Sequence, residues 1–235
     1  MNLCAYRAGL KAGLPICLGY FSVSFGFGTL AITQGLSILQ ATILSISNLT
    51  SAGQFAGLTV IVAGASLLEM ILTQLVINSR YALMSLALGQ RLGESVGIGR
   101  RLAVAFFNTD EIFALGMAQS KLTPAFFLGA GTVAAIGWTL GTALGAIAGS
   151  LLPASVQTAL GIMLYGMFVA IVIPQVREEK SMGMCMVLAL LFSCLFTWLP
   201  VLNTVSSGIA IVLCTVAAAS ICAAVFPLSD EEVAA

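Results

Sequence analysis

The chain has 235 residues, 60% of them hydrophobic and only 8% charged, with nine basic and nine acidic side chains and no histidine. An average soluble domain is roughly 25% charged, so this composition excludes a water-soluble globule and points to a protein dissolved in the bilayer. Zero net charge argues against nucleic acid or a strongly acidic partner, and the missing histidine removes the commonest metal ligand and general base.

Arg7 and Lys11 precede an apolar stretch over 13–33, too long for a signal-peptide core and without a clear cleavage site. It reads as an uncleaved first span. Gly26 and Gly28 flank Phe27 there. Such glycines permit either a helix break or a close backbone approach.

The next segment, 41–65, is helical in length but polar at its centre, Asn48-Leu-Thr-Ser-Ala-Gly-Gln-Phe55. That composition favours a turn that opens helix ends. A half-helix terminus at membrane depth can hold one charged group of a zwitterion. Asn48, Ser51, Gly53, Gln54 and Phe55 are therefore candidate substrate-binding residues, with Phe25, Phe27 and Phe55 as apolar walls. On 66–88, Gln74, Asn78, Tyr81 and Ser85 fall on one helical stripe, which reads either as interhelical glue or as a cavity wall. Gln74, Asn78 and Tyr81 join the candidate binding set. Glu69 and Arg80 stand three turns apart on nearly one face of the same helix, each near an end where snorkelling relieves the cost of a charge, which leaves a structural and a functional reading open.

The segment 103–119 carries Asn108, Thr109, Asp110 and Glu111 in a row. Neighbouring residues differ by about 100° around a helix, so one carboxylate can face a cavity while the other pairs with a base such as Arg80. Asp110, Glu111, Arg80 and Glu69 are the candidates for proton coupling or ion pairing. Gly137, Gly141, Gly145 and Gly149 recur every fourth residue in 125–151, a ridge that admits another helix closely, from this chain or from another. Three more apolar segments follow, 155–175, 182–200 and 205–226, and the chain closes in a short acidic tail, 228–235.

A span needs about 20 apolar residues. Six segments meet that, whereas 41–65 and 103–119 are interrupted by polar clusters. Polar, broken backbone survives at membrane depth only where it faces protein or a water-filled cavity. If those two segments enter and leave on one side, all eight basic residues other than Arg80 lie on the cytoplasmic face, as the positive-inside rule favours. The expected fold is an all-α membrane bundle of about six crossings with two re-entrant or broken segments. Seven or eight full transmembrane helices are the alternative. The two polar segments can also be corresponding parts of a diverged inverted repeat. A single multi-pass domain over 1–235 is expected. Cys4, Cys17, Cys185, Cys194, Cys214 and Cys222 form no CxxC pair and read as small hydrophobes. No metal or cofactor is expected.

Ser51-Ala-Gly-Gln-Phe55, Asn78-Ser-Arg80 and Thr109-Asp-Glu-Ile-Phe-Ala114 resemble three signatures of the AzlC family of bacterial branched-chain amino acid permeases. Trp138 through Gly145 and Phe168 through Pro174 are also similar to that family, and the likeness runs from about residue 7 to residue 225. The resemblance implies a permease subunit in the bacterial cytoplasmic (inner) membrane, exporting branched-chain and related small neutral amino acids. It also implies a small AzlD-type membrane partner. The family commonly has histidine where this chain has Tyr81, so a protonatable group is missing there. The alternatives are a non-transporting assembly subunit or a channel for another small neutral solute. No phosphate-binding loop is present, and neither a Ser-His nor a paired-aspartate intramembrane catalyst can be assembled, so no enzyme is expected.

Overall fold

The computed structural model describes residues 2–93, 96–149 and 179–227, with single positions 151, 153, 155, 169, 173, 176 and 177 between them. Every regular element among the described residues is an α-helix. We number them α1 Leu3–Thr33, α2 Ile38–Ser47, α3 Ser51–Val62, α4 Leu67–Leu92, α5 Ile98–Phe106, α6 Asp110–Met117, α7 Pro124–Gly149, α8 Lys180–Trp198 and α9 Ser207–Val225. Five of them, α1, α4, α7, α8 and α9, are long and apolar enough to cross a membrane. These are five of the six expected spans; the sixth, 155–175, lies outside the described residues apart from positions 155, 169 and 173, and so does the acidic tail. Leu18, Leu83 and Leu86 are 63–73% exposed on such helices, as lipid-facing side chains are.

Both interrupted segments are broken where the polar clusters fall. The first divides into α2 and α3 at Asn48-Leu49-Thr50, and the second into α5 and α6 at Phe107-Asn108-Thr109. Rising about 1.5 Å per residue, none of these four short helices can span alone. Asn48 drives its break: its backbone is extended, and its Oδ1 accepts from Thr50 N at 3.0 Å and from the Thr50 hydroxyl. That side-chain competition is what asparagine offers in place of continued helix. Ser37 opens α2 with a capping box to Gln40. α1, by contrast, runs without interruption through Pro15, Gly26 and Gly28, so the helix break allowed by those glycines is not made.

The chain forms two compact units. One comprises Met1–Phe55 and Asn78–Leu164, the other Ala56–Ile77 and Tyr165–Ala235. In the first unit α1 and α7 lie side by side along their whole lengths, and they run parallel. Gly9 faces Phe126 O, Gly13 faces Ala130, Cys17 O faces Gly137, Phe21 O faces Gly141, Phe25 O faces Gly145 and Thr29 faces Gly149. A Cβ on Gly137, Gly141 or Gly145 would collide with α1 backbone carbonyl oxygens. The glycine ridge is therefore filled from within the chain, by α1, and Gly28 reciprocates against Thr142 O.

Parallel α1 and α7 require a net crossing of the chain between them. The pair α5–α6 starts and finishes at the carboxyl end of α4. Arg101, in the first turn of α5, donates to Gly89 O at 3.3 Å, Val96 O at 2.9 Å and Gly93 O. Arg91, at the end of α4, donates to Gln119 O at 3.0 Å, just beyond α6. The excursion 98–119 is thus a re-entrant hairpin. Gly93, at φ +73°, provides the left-handed turn that closes α4. Arg91, Arg101 and Lys121 share this end with the amino ends of α1 and α7.

The second unit holds most of α3, the first three turns of α4, α8 and α9. α8 and α9 are antiparallel: Cys185 lies against Cys222 towards one end, and Phe196 and Ser207 line a common cavity at the other. All six cysteines are free thiols.

A polar centre where two broken helices meet

α2 and α3 start from the carboxyl end of α1, and α5 and α6 from its amino end. Inside the first unit the tips of the two excursions converge near the midpoints of α1 and α7. Gln54, fully buried in the first turn of α3, is held at both ends of its amide. Its Oε1 accepts from Trp138 Nε1 at 2.9 Å, and its Nε2 donates to Ser45 Oγ on α2. Ser45 Oγ lies 2.6 Å from Thr142 Oγ1 on α7. Trp138 then meets the edge of Tyr20 on α1, with ring centroids 5.3 Å apart. The Tyr20 hydroxyl lies 2.7 Å from Thr109 Oγ1 and donates its proton to Glu111 Oε2, at the start of α6. One line of contacts thus joins the α2–α3 break to the α5–α6 break.

The first turn of α6 holds both carboxylates, where the positive end of a helix dipole favours them. They point to different partners. Asp110 Oδ2 pairs with Arg80 on α4 at 2.8 Å, both side chains nearly half exposed, while Glu111 takes Tyr20. Arg80 also lies over the Tyr81 ring, 5.1 Å from its centroid, and within 3.4 Å of its hydroxyl. Asn108 is 6% exposed; its Nδ2 donates to Ser85 Oγ at 3.1 Å, and its Oδ1 has no partner among the described residues. A buried acceptor left open this way costs about 1–3 kcal/mol unless something fills it.

The remaining sequence candidates fall into place around this centre or away from it. Asn48 shapes the α2–α3 break, and Ser51 and Gly53 lie in the first turn of α3. Phe55 packs edge-on against fully buried Phe27, centroids 5.0 Å apart. Asn78 is half-buried on the part of α4 that belongs to the first unit. Gln74 belongs to the second unit, beside Met70 and Gly57. Glu69 and Arg80 do not serve each other: Arg80 pairs with Asp110, and Glu69 accepts from Gly208 N at 2.8 Å, 139 residues away. Sequence reasoning did not single out Tyr20, Ser45, Trp138 or Thr142 as site residues. The available signal was a tyrosine and a tryptophan at mid-span rather than at span ends, where the bilayer interface places them.

The arrangement presents the positive end of α3, an open amide oxygen, two carboxylates and one guanidinium at mid-bundle depth. Those groups suit a small solute carrying both charges. Among the described residues no cluster of three or more acidic, cysteine or histidine side chains could hold a metal ion.

A family model described as AzlC protein matches residues 15–152, the stretch that contains both breaks and the glycine ridge. Inner membrane protein YgaZ of Escherichia coli is 30% identical over 186 residues, 75% of this chain and 76% of that protein. An uncharacterized membrane protein of Archaeoglobus fulgidus is 32% identical over 174 residues, 73% of this chain and 76% of its own length. One from Helicobacter pylori is 31% identical over 111 residues, 47% of this chain and 48% of its own length. No solved structure matches the chain.

Proposed function

The chain belongs to the AzlC family and is a multi-pass, transport-related membrane protein, and on that premise we propose that it exports branched-chain and related small neutral amino acids. The reading places it in a bacterial cytoplasmic membrane as a secondary transporter working with a small AzlD-type membrane subunit. The observation that carries it is the convergence of two broken helices on one polar centre, the arrangement by which many transporters bind substrate at the bilayer midplane. The positive end of α3 suits a substrate carboxylate. Asn108 Oδ1 and the unshared oxygens of Asp110 and Glu111 suit its ammonium. Aromatic and aliphatic walls beside Phe27 and Phe55 suit a branched side chain. Binding both charges at fixed dipoles while leaving the side chain in apolar surroundings selects neutral amino acids over charged ones.

Proteoliposomes containing the chain and its small partner, loaded with radiolabelled leucine or valine, test this directly. We expect saturable efflux, competed by other branched-chain amino acids and not by lysine or glutamate. Asn108→Leu should lower it at least tenfold with the protein still inserted. Absence of efflux from the folded pair would count against export, and non-saturable flux would favour the channel.

A further inference from the structure

We propose that the second unit contains a sodium-ion site, built from Glu69, Thr73 and Ser206 at the amino end of α9. Glu69 sits one turn inside α4 and is 7% exposed, and among the described residues no basic side chain pairs with it. Its Oε1 is fixed instead by Gly208 N at 2.8 Å, in the first turn of α9. A backbone N–H and the positive end of a 19-residue helix hold such a carboxylate in place. They also leave its second oxygen unused.

One hydroxyl closes on the same spot, and a second belongs to the residue two before Gly208. Thr73 is one turn further along α4 and 0% exposed, and Ser206 is the N-cap of α9. The oxygen of each is buried without a partner among the described residues. Thr73 Oγ1 points at the helix start: a Cβ on Gly208 would lie 2.7 Å from it and 2.6 Å from Glu69 Oε1. Threonine in a helix ordinarily satisfies its hydroxyl on a carbonyl of the preceding turn; here it does not.

Carboxylate and hydroxyl oxygens are the donors a hard cation takes. A single positive charge neutralises the single carboxylate, whereas a divalent ion would leave net charge in an apolar unit. A proton on Glu69 would satisfy only one of the two hydroxyl oxygens; an ion coordinated by all three groups satisfies both. A substrate ammonium is excluded by size, because Thr73 is wholly enclosed. A cavity of about 410 Å³ between α8 and α9 comes as near as Ser207, the residue between Ser206 and Gly208. That the ion drives amino-acid movement rests on the exporter reading; the site itself does not.

Binding of ²²Na⁺ to the purified full-length chain, by scintillation proximity, tests the site. We expect saturable binding displaced by unlabelled NaCl and not by choline chloride. Glu69→Gln and Thr73→Val should each weaken it more than tenfold, Ser206→Ala less, and Thr73→Ser, which restores the hydroxyl, should bind like the parent. Thermal melting of each variant shows that it is folded. No saturable ²²Na⁺ binding by folded parent protein, or binding by Thr73→Val and Glu69→Gln as tight as the parent's, overturns the proposal. So does leucine efflux driven by a pH gradient with no ²²Na⁺ bound. Intact, Thr73-dependent ²²Na⁺ binding in a protein that moves no amino acid supports the ion site while removing the exporter reading.

Discussion

Gln54 illustrates how one side chain can organise a membrane interior. Its amide satisfies Trp138 and Ser45 together in a fully buried position, so Gln54→Leu strands an indole N–H and leaves the Ser45 hydroxyl with Thr142 alone. The expected cost is about 1–3 kcal/mol, read as a lower melting temperature in detergent, and efflux should fall with it. Trp138→Phe removes the same bond from the other side. If the bond itself matters, the double variant should be less destabilised than the sum of the two singles. Arg80 and Asp110 belong to a different regime. Their side chains are 47% and 44% exposed, and a solvated pair contributes at most about 1 kcal/mol. Asp110→Asn should hardly move the melting temperature, yet it should slow transport if the pair gates the α6 end. Reversal of the pair, Arg80→Asp with Asp110→Arg, should then recover part of the rate, and no recovery would mean that Asp110 acts by touching substrate.

At the scale of helices, the glycine ridge decides how tightly α1 and α7 approach. A Cβ on Gly145 would run into Phe25 O, and one on Gly141 into Phe21 O, so neither neighbour can give way by rotating a side chain. Gly145→Val should cost more than the roughly 1–3 kcal/mol typical of overpacking. Blue-native gels and melting curves would show it, and a variant melting like the parent would mean that the seam separates easily. Arg101 makes a comparable junction by hydrogen bonds, tying the first turn of α5 to the carboxyl end of α4. The two helix breaks were legible in the sequence because a run such as Asn48 to Gln54 or Asn108 to Glu111 conflicts locally with continuous apolar helix. The partner of the ridge was not: spacing shows that a helix fits against Gly137 to Gly149, not which one. The partner of Glu69 was hidden for a similar reason. Its nearest opposite charge in sequence is on its own helix, while its real partner is a backbone N–H that only the folded chain brings near.

For the molecule as a whole, the re-entrant hairpin α5–α6 gathers Arg91, Arg101 and Lys121 at the end where α1 and α7 begin, and the positive-inside rule assigns that end to the cytoplasm. A single cysteine at position 96, in a background lacking the six native ones, should therefore resist an impermeant thiol reagent in intact cells and react after permeabilisation. Strong labelling there in intact cells would remove this topology. The parallel pairing of α1 with α7 also has a consequence for how the protein is made. Thr29 and Gly145, which hydrogen-bond at 3.2 Å, are 116 residues apart. At about 5–20 residues per second, α1 leaves the ribosome on the order of ten seconds before its packing partner. Throughout that interval its small-residue face has only lipid or an insertion chaperone to cover it. Nascent chains arrested before residue 124 should be held at the insertion machinery and degraded when released, whereas chains arrested well beyond residue 149 should resist the membrane proteases.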